Sequence, residues 1–211
     1  MVEGVTPPTK TELRTGVLRA RRAVPTDRRE REAQALCHWL PALVRPGQTV
    51  CAYVPVGSEP GSGAMLDNLL ELGVRVLLPV ARNDADGRAL PMQWGIYVPG
   101  TLVAAEFGLR EPAPPWLPAG SVADAEVVLV PALAVDRRGN RLGRGAGFYD
   151  RSLIYAAPQA RLVAVVRDEE LVDELPAEAA LAGFSLGSAF AQTLAATRPQ
   201  AAGVILMHSV A

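Results

Sequence analysis

Between Gly139 and Arg151 the chain reads Gly-Asn-Arg-Leu-Gly-Arg-Gly-Ala-Gly-Phe-Tyr-Asp-Arg, a concentration of glycine and arginine just after an apolar run. Residues of these types handle phosphate. Glycines let the backbone approach an anion closely and turn with positive φ, and a helix that follows offers free N–H groups at its positive end. Arg141 and Arg144 add charge-assisted contacts that can be bidentate to phosphate or carboxylate. Asp150 stands close enough in sequence to hold a metal ion that bridges phosphates. No Lys-Ser/Thr pair follows the glycines, so this is not a Walker A loop. The dinucleotide fingerprint is missed as well, because Gly143-x-Gly145-x-x ends at Phe148 rather than at glycine. Asp168, near the end of the next apolar run, keeps a ribose-binding alternative open; a tight connection with solvated arginines is the bland one.

A second chemical signal lies far upstream. Lys10 is the single lysine in a chain that otherwise writes its positive charge as arginine. A compact ammonium in that setting suggests a position that needs a point charge rather than a planar fork, although an exposed N-terminal segment tolerates either residue. Cys37 and Cys51 fall in a helical and a strand pattern and read as small buried hydrophobes, not a disulfide. His38 reads as a surface or boundary residue, and with His208 it makes no transition-metal site.

The elements that must position these groups alternate in kind. Residues 1–8 read as a disordered leader. Thr9 or Thr11 caps a first helix to about Ala23, with Glu12 near its start. A charged helix follows from Arg28 to about Leu43, with Ala35, Leu36, Trp39, Leu40 and Leu43 on one side. Thr49 to Val54 and Val74 to Val80 are apolar runs read as buried strands, with a helix from Met65 to Leu72 between them. Asn83 to Gly87 is a hairpin-like turn into a mixed run from Leu90 to Val98. Residues 99–121, rich in Pro and Gly, read as one long irregular segment. Glu126 to Pro131 is the cleanest strand, Gly147 to about Tyr155 a helix, and Leu162 to Val166 a last strand. Strands that are apolar throughout and alternate with helices predict an α/β fold: a mostly parallel sheet with helices on both faces, a Rossmann-like three-layer single domain.

Bulk composition excludes several classes. With 211 residues the chain suits one α/β domain and is tight for two. A net charge of −1 gives no global basic field to attract nucleic acid or an anionic membrane. No apolar run reaches the length of a membrane span and no signal sequence begins the chain, so a cytoplasmic location is expected.

The longer string is more specific than the glycine loop. Leu129-Val-Pro131, Ala132 to Asp136 and Gly139 to Arg151 together resemble the signature of the 5-formyltetrahydrofolate cyclo-ligases (methenyltetrahydrofolate synthetases). Lys10-Thr-Glu-Leu-Arg14 with Arg21-Arg22, Tyr53-Val-Pro55 with Glu59-Pro60, Gly108-Leu-Arg-Glu111-Pro112 and Leu171 to Pro176 resemble further segments of that family, in order. The resemblance covers residues 9–178, taken as the cyclo-ligase domain. It implies conversion of 5-formyltetrahydrofolate to 5,10-methenyltetrahydrofolate with ATP split to ADP and phosphate. Phosphorylation of the formyl oxygen, attack by N10 and loss of phosphate need positioning and charge stabilisation more than a protein nucleophile.

By that resemblance, Lys10 and Arg14, on one helix face, would contact ATP phosphates. Arg141, Leu142, Gly143, Arg144, Gly145, Ala146, Gly147, Phe148 and Tyr149 would form the nucleotide loop. Arg144, facing the transferred phosphate, and Tyr149, closing over the substrate, would be the catalytic pair. Val54, Glu59, Phe107, Arg144 and Phe148 would bind the folate, with Glu59 accepting two N–H bonds from its pterin. Asp150 would hold Mg²⁺. The partners implied are a reduced folate and ATP, with no nucleic acid and no membrane, and the chain is expected to be a monomer.

Past Glu178 the family pattern stops. Leu181 stands near the position where relatives carry an Asp that assists Mg²⁺, which leaves a catalytically weakened folate- or nucleotide-binding protein as the alternative reading. Residues 179–211 are expected to form an atypical β-α-β segment. Gly183-Phe-Ser185-Leu-Gly187 has the form of a nucleophile elbow and resembles that of dienelactone-hydrolase-like α/β-hydrolases. An elbow needs an acid and then a catalytic His after it; beyond Ser185 there is no Asp or Glu, so a serine hydrolase is rejected.

Overall fold

The computed structural model describes residues 8–176, together with the backbone of residues 192–194 and 204–209. Residues 1–7, most of the expected leader, lie outside it, as do Leu181 and the Gly183–Gly187 elbow. Thr9 caps the first helix, α1 (Lys10–Ala23), in a reciprocal box with Glu12: the Glu12 N–H donates to Thr9 Oγ1 at 3.3 Å, and the Thr9 N–H donates to Glu12 Oε2 at 2.8 Å. Pro25 fixes the extended entry to α2 (Thr26–Leu43). Then come β1 (Thr49–Cys51), α3 (Gly63–Glu71), β2 (Arg75–Val80), β3 (Gln93–Ile96), β4 (Leu102–Ala104), β5 (Arg110–Pro112) and β6 (Val127–Pro131). The chain continues through β7 (Ala134–Asp136), β8 (Arg141–Leu142), α4 (Phe148–Ser152), β9 (Arg161–Val166), β10 (Leu171–Val172), β11 (Gln192–Leu194) and β12 (Val204–Ser209).

The main sheet has the order β11-β12-β9-β6-β1-β2-β3. Its centre, β9-β6-β1-β2, is parallel throughout, while β3 and β12 add antiparallel strands at the two sides. The expected mostly parallel α/β sheet is therefore what the chain builds. Both faces are covered, which is why the central strands are apolar past their first residues, Thr49, Arg75 and Arg161 standing only at strand starts. Val50, Val76, Leu78, Leu129 and Val163 point to one side, against Leu36, Leu40, Met65 and Leu69 of α2 and α3. Their neighbours Cys51, Leu77, Val128, Val130 and Ala164 point to the other, against Trp94, Val122 and Leu153. A smaller sheet, β10-β7-β8, carries Ala134 and Leu142, on which Leu13 of α1 packs.

Several expectations shift. Residues 99–121 are not irregular throughout: β4 and β5 pair as an antiparallel hairpin, with the turn Glu106–Gly108 between them. Buried Glu111 of β5 receives a bidentate Arg82 side chain that also stacks on Trp116 at 4.4 Å, so a Pro/Gly-rich segment gains order from one long-range ion pair. A single apolar strand does not lead straight into the glycine loop either, since the β7/β8 hairpin intervenes. Asp136, fully buried, builds that hairpin: its carboxylate accepts the N–H groups of Arg138, Asn140 and Leu175 and the Asn140 side-chain amide, at 2.9–3.1 Å. Cys51 is buried, but Cys37 only half so. At the far side of the sheet, Val204–Ser209 runs antiparallel to β9. Among the described residues no helix is long and apolar enough to cross a membrane.

Candidate active site

Open α/β sheets bind ligands beyond the carboxyl ends of their parallel strands, where connections from neighbouring strands diverge. Here β1, β6 and β9 are neighbours, and their ends feed the loop carrying Val54 and Glu59, the hairpin and glycine loop from Ala132 to Gly147, and Arg167 with its acidic turn. Residues separated by most of the chain thus meet at one end of the sheet.

The glycine loop is anchored on both sides. Leu142, 1% exposed, is a core residue packed beside Leu13, so contact with any nucleotide falls to its backbone. Gly145 and Gly147 hold φ values of 104° and 82°, a left-handed region that a side chain would strain. At the far end, Ser152 Oγ donates to the Phe148 carbonyl at 2.7 Å and accepts the Met92 N–H at 2.8 Å, tying α4 to the segment before β3. Helix α4 spans only five residues, so its dipole is a small source of positive potential.

Cations from elsewhere supply the rest. Arg14 reaches from α1 to the loop, its Nε donating to the Gly143 carbonyl at 3.0 Å with the guanidinium beside Gly145. Lys10 lies one turn earlier on the same helix, half-buried, and among the described residues it makes no ion pair. Arg144 is half-exposed and pairs across the site with Glu59, Nη2 to Oε1 at 3.1 Å. The other Glu59 oxygen accepts the Val56 N–H at 3.0 Å, so the carboxylate faces the nucleotide loop from the segment after β1. Val54, partly buried, packs on the core beneath that segment. Phe107 lies in the turn between β4 and β5, and its side chain is outside the described part of the structure. Phe148 and Tyr149 are half-buried against the second core face.

Arg141 is held within the loop itself. Its side chain is 11% exposed: one Nη donates to the Pro131 carbonyl at 2.9 Å, the other to Asp150 at 2.8 Å, and the guanidinium stands 5.4 Å from the centre of the Tyr149 ring. Its charge serves the loop's own geometry. Tyr149 turns a buried hydroxyl inward that meets no hydrogen-bond partner within the described structure. Burial pushes that phenol well above its ordinary range, and Arg141 only partly opposes the shift. Asp150, 44% exposed, is the carboxylate nearest the glycines. Among the described residues no group of three or more His, Cys, Asp or Glu side chains could hold a metal ion on its own.

Sequence reasoning missed the support behind these groups. Arg21 of α1, 1% exposed, grips Glu170 with two bonds of 2.6 and 2.7 Å and donates to the Ala132 carbonyl at 2.6 Å. Arg167 joins Glu32 at 2.7 Å, and Glu32 joins Arg28 at 2.9 Å. The available signal was helical phase: Lys10, Arg14 and Arg21 fall on one face of α1. The acidic run 168–170 gave no hint that Glu170 is buried while its neighbours are exposed.

The arrangement is a cationic cradle of glycines and arginines facing a half-buried carboxylate, with a neutral phenol behind it. It suits transfer of a phosphoryl group to a neighbouring organic ligand. The profile of the 5-formyltetrahydrofolate cyclo-ligase family matches residues 7–180. A 5-formyltetrahydrofolate cyclo-ligase of Mycolicibacterium smegmatis is 68% identical over 174 residues, which cover 82% of this chain and 90% of that protein. The Escherichia coli K12 protein of the same name is 28% identical, over 76% of this chain and 88% of its own. Among solved structures, the 5,10-methenyltetrahydrofolate synthetase of Aquifex aeolicus superposes with a TM-score of 0.63 at 25% identity, covering 79% of this chain and 82% of that one. The Mycoplasma pneumoniae synthetase shares the fold, with a TM-score of 0.59 at 19% identity over 82% and 93%.

Proposed function

The chain belongs to the 5-formyltetrahydrofolate cyclo-ligase family, and from that premise we propose that it converts 5-formyltetrahydrofolate to 5,10-methenyltetrahydrofolate, with ATP split to ADP and phosphate. The formyl oxygen takes the γ-phosphoryl group and ADP departs. N10 then adds to the formyl carbon, and phosphate leaves with that oxygen as the ring closes. No protein nucleophile is needed. Catalysis lies in holding two substrates in line and in stabilising charge on the transferred group.

Lys10 and Arg14 bind the phosphates from α1, and the loop from Arg141 to Tyr149 wraps them, with backbone N–H groups at Gly143, Gly145, Ala146 and Gly147. Arg144 stabilises the phosphoryl group in transfer. Arg144 swings away from Glu59, which accepts two N–H bonds from the pterin, with Val54, Phe107 and Phe148 lining the apolar side. Tyr149, whose ring lies beside the Arg141 guanidinium, closes over the substrate. The observation that supports this reading most is the 3.1 Å Arg144–Glu59 pair, in which the glycine loop and the segment after β1 meet.

Asp150 fits a magnesium site of the kind nucleotides bring with them. Mg²⁺ asks for one or two carboxylates, with phosphate oxygens and water completing its shell, and Asp150 is a partly exposed carboxylate beside the cradle. When bound, the ion neutralises charge on the phosphates. Residues 9–178 make up the catalytic unit, working as a monomer in the cytoplasm.

Methenyltetrahydrofolate absorbs in the near ultraviolet, so its appearance can be followed directly. ATP- and Mg²⁺-dependent formation, lost in Lys10→Ala and Arg144→Ala, is the expected result. Tight folate binding without turnover overturns the proposal in favour of a binding protein.

A further inference from the structure

The segment after β1 that carries Glu59 borders an 820 Å³ groove between α2 and α3, with Gly57, Glu59, Pro60 and Gly61 in its wall. A loop backed by a groove gains its position from tethers, because side chains packed on a void hold nothing in place. Two tethers are present, and they flank Glu59 in sequence. Tyr53, 2% exposed, donates its hydroxyl to the Pro60 carbonyl at 2.7 Å. Arg167, 4% exposed, donates from Nη1 to the Ser58 carbonyl at 3.3 Å. The carbonyls immediately before and after Glu59 are therefore each held by a buried side chain, one from β1's own extension and one from the end of β9.

Neither donor is free to wander. Arg167 is locked by Glu32 at 2.7 Å, and its N–H donates to Glu170, the carboxylate that also grips Arg21 of α1. Tyr53 lies within the first core cluster beside Met65 and Leu36. Gly61, at φ 98°, sits close to Pro55, Leu36 and Met65, so the loop turns back onto the core just past the second tether.

We infer that Tyr53 and Arg167 are positioning residues for the Glu59 carboxylate, clamping the folate-binding loop from both sides of that residue. The inference rests on Glu59 being a folate contact. Neither side chain touches a ligand. Each sets the angle at which Glu59 meets the N–H groups of the pterin, so loss of a tether weakens folate binding and leaves the nucleotide side intact.

Steady-state kinetics of the full chain test this, with Tyr53→Phe, Arg167→Gln, Glu59→Gln and Arg28→Gln compared. Arg28 ends the same ion network at its exposed side and touches no part of the loop. The Michaelis constant for 5-formyltetrahydrofolate should rise about fivefold in Tyr53→Phe and about tenfold in Arg167→Gln, with that for ATP and kcat within about twofold of the parent. Arg28→Gln should change none of the three. Unchanged folate constants in Tyr53→Phe, or equal rises for folate and ATP, overturn the clamp. An unchanged folate constant in Glu59→Gln instead removes the folate role of Glu59 itself. Should Arg167→Gln fail to fold with Glu32 and Glu170 each short of one partner, Tyr53→Phe, which deletes one oxygen, decides the matter alone. Faster amide exchange at Gly57 and Gly61 in that variant is the accompanying structural signature.

Discussion

Arg144 Nη2 stands 3.1 Å from Glu59 Oε1, joining the glycine loop after β8 to the segment after β1. The two side chains differ in their freedom: Arg144 is 51% exposed and Glu59 11%. The carboxylate is a fixed wall and the guanidinium a mobile arm, as expected of a pair that must part when a ligand comes between them.

Arg144→Ala should lower kcat by about 10²–10³, the loss typical of one charge-stabilising donor. Because the side chain is half-exposed, folding stability should stay within about 0.5 kcal/mol of the parent. Urea unfolding alongside the absorbance assay separates the two. A fall in stability that matched the fall in rate would argue for a structural role.

Arg14 docks on the Gly143 carbonyl and so belongs to the nucleotide side. Arg14→Gln should raise the Michaelis constant for ATP about tenfold, in line with a charge-assisted hydrogen bond, and alter that for folate far less. The converse pattern, folate affected and ATP spared, would exchange the assignments of α1 and the Glu59 loop.

Asp150 pairs with Arg141 at 2.8 Å and is also the carboxylate proposed to hold the ion. In Asp150→Asn the Mg²⁺ concentration for half-maximal rate should rise several-fold at saturating ATP. If the magnesium dependence is unchanged, Asp150 serves only to orient Arg141.

Arg21 and Glu170 form a doubly bonded pair with side chains 1% and 6% exposed. Arg21→Met should cost about 3–5 kcal/mol in urea unfolding, since it strands a buried carboxylate. The double variant Arg21→Met with Glu170→Gln should recover part of that loss, because the uncompensated charge is gone.

Three tyrosines give stability an alkaline limit. Burial raises the phenols of Tyr53 and Tyr149, and burial together with its bond to Asp67 pushes Tyr97 up to about 12. Below the ordinary tyrosine value of 10 the phenols are neutral in both folded and unfolded chains, and their contribution is complete. As pH rises past it, the unfolded chain releases protons that the folded one keeps, so stability falls. The urea midpoint should drop between about pH 9 and about pH 11, with the appearance of tyrosinate absorbance lagging behind that of the unfolded chain. A flat midpoint over that range would contradict the assignment.

Local signals were readable because their partners are local. Thr9 and Glu12 announce the start of α1 from three residues apart, and the apolar runs of β6 and β9 announce strands covered on both faces. The glycine loop was legible for the same reason: its chemistry is written in consecutive residues. The β4/β5 hairpin was not, because a Pro/Gly-rich composition describes the turns within it and says nothing of the Arg82–Glu111 pair that anchors it.

By itself the sequence determined the α/β alternation and, through the consecutive residues of the glycine loop and its flanks, the family. It could not say which charges meet. Arg141 directs its donors at Pro131 and Asp150, and Glu170 lies buried on Arg21, though nothing in the residues around either one names those partners. Such partners are chosen by the order of β9, β6 and β1 in the sheet, which places the ends of three strands side by side. Periodicity along the chain carries no record of that order. Which charges pair depends on how the low-dielectric interior between those strand ends is shared among them, and only the tertiary structure decides it.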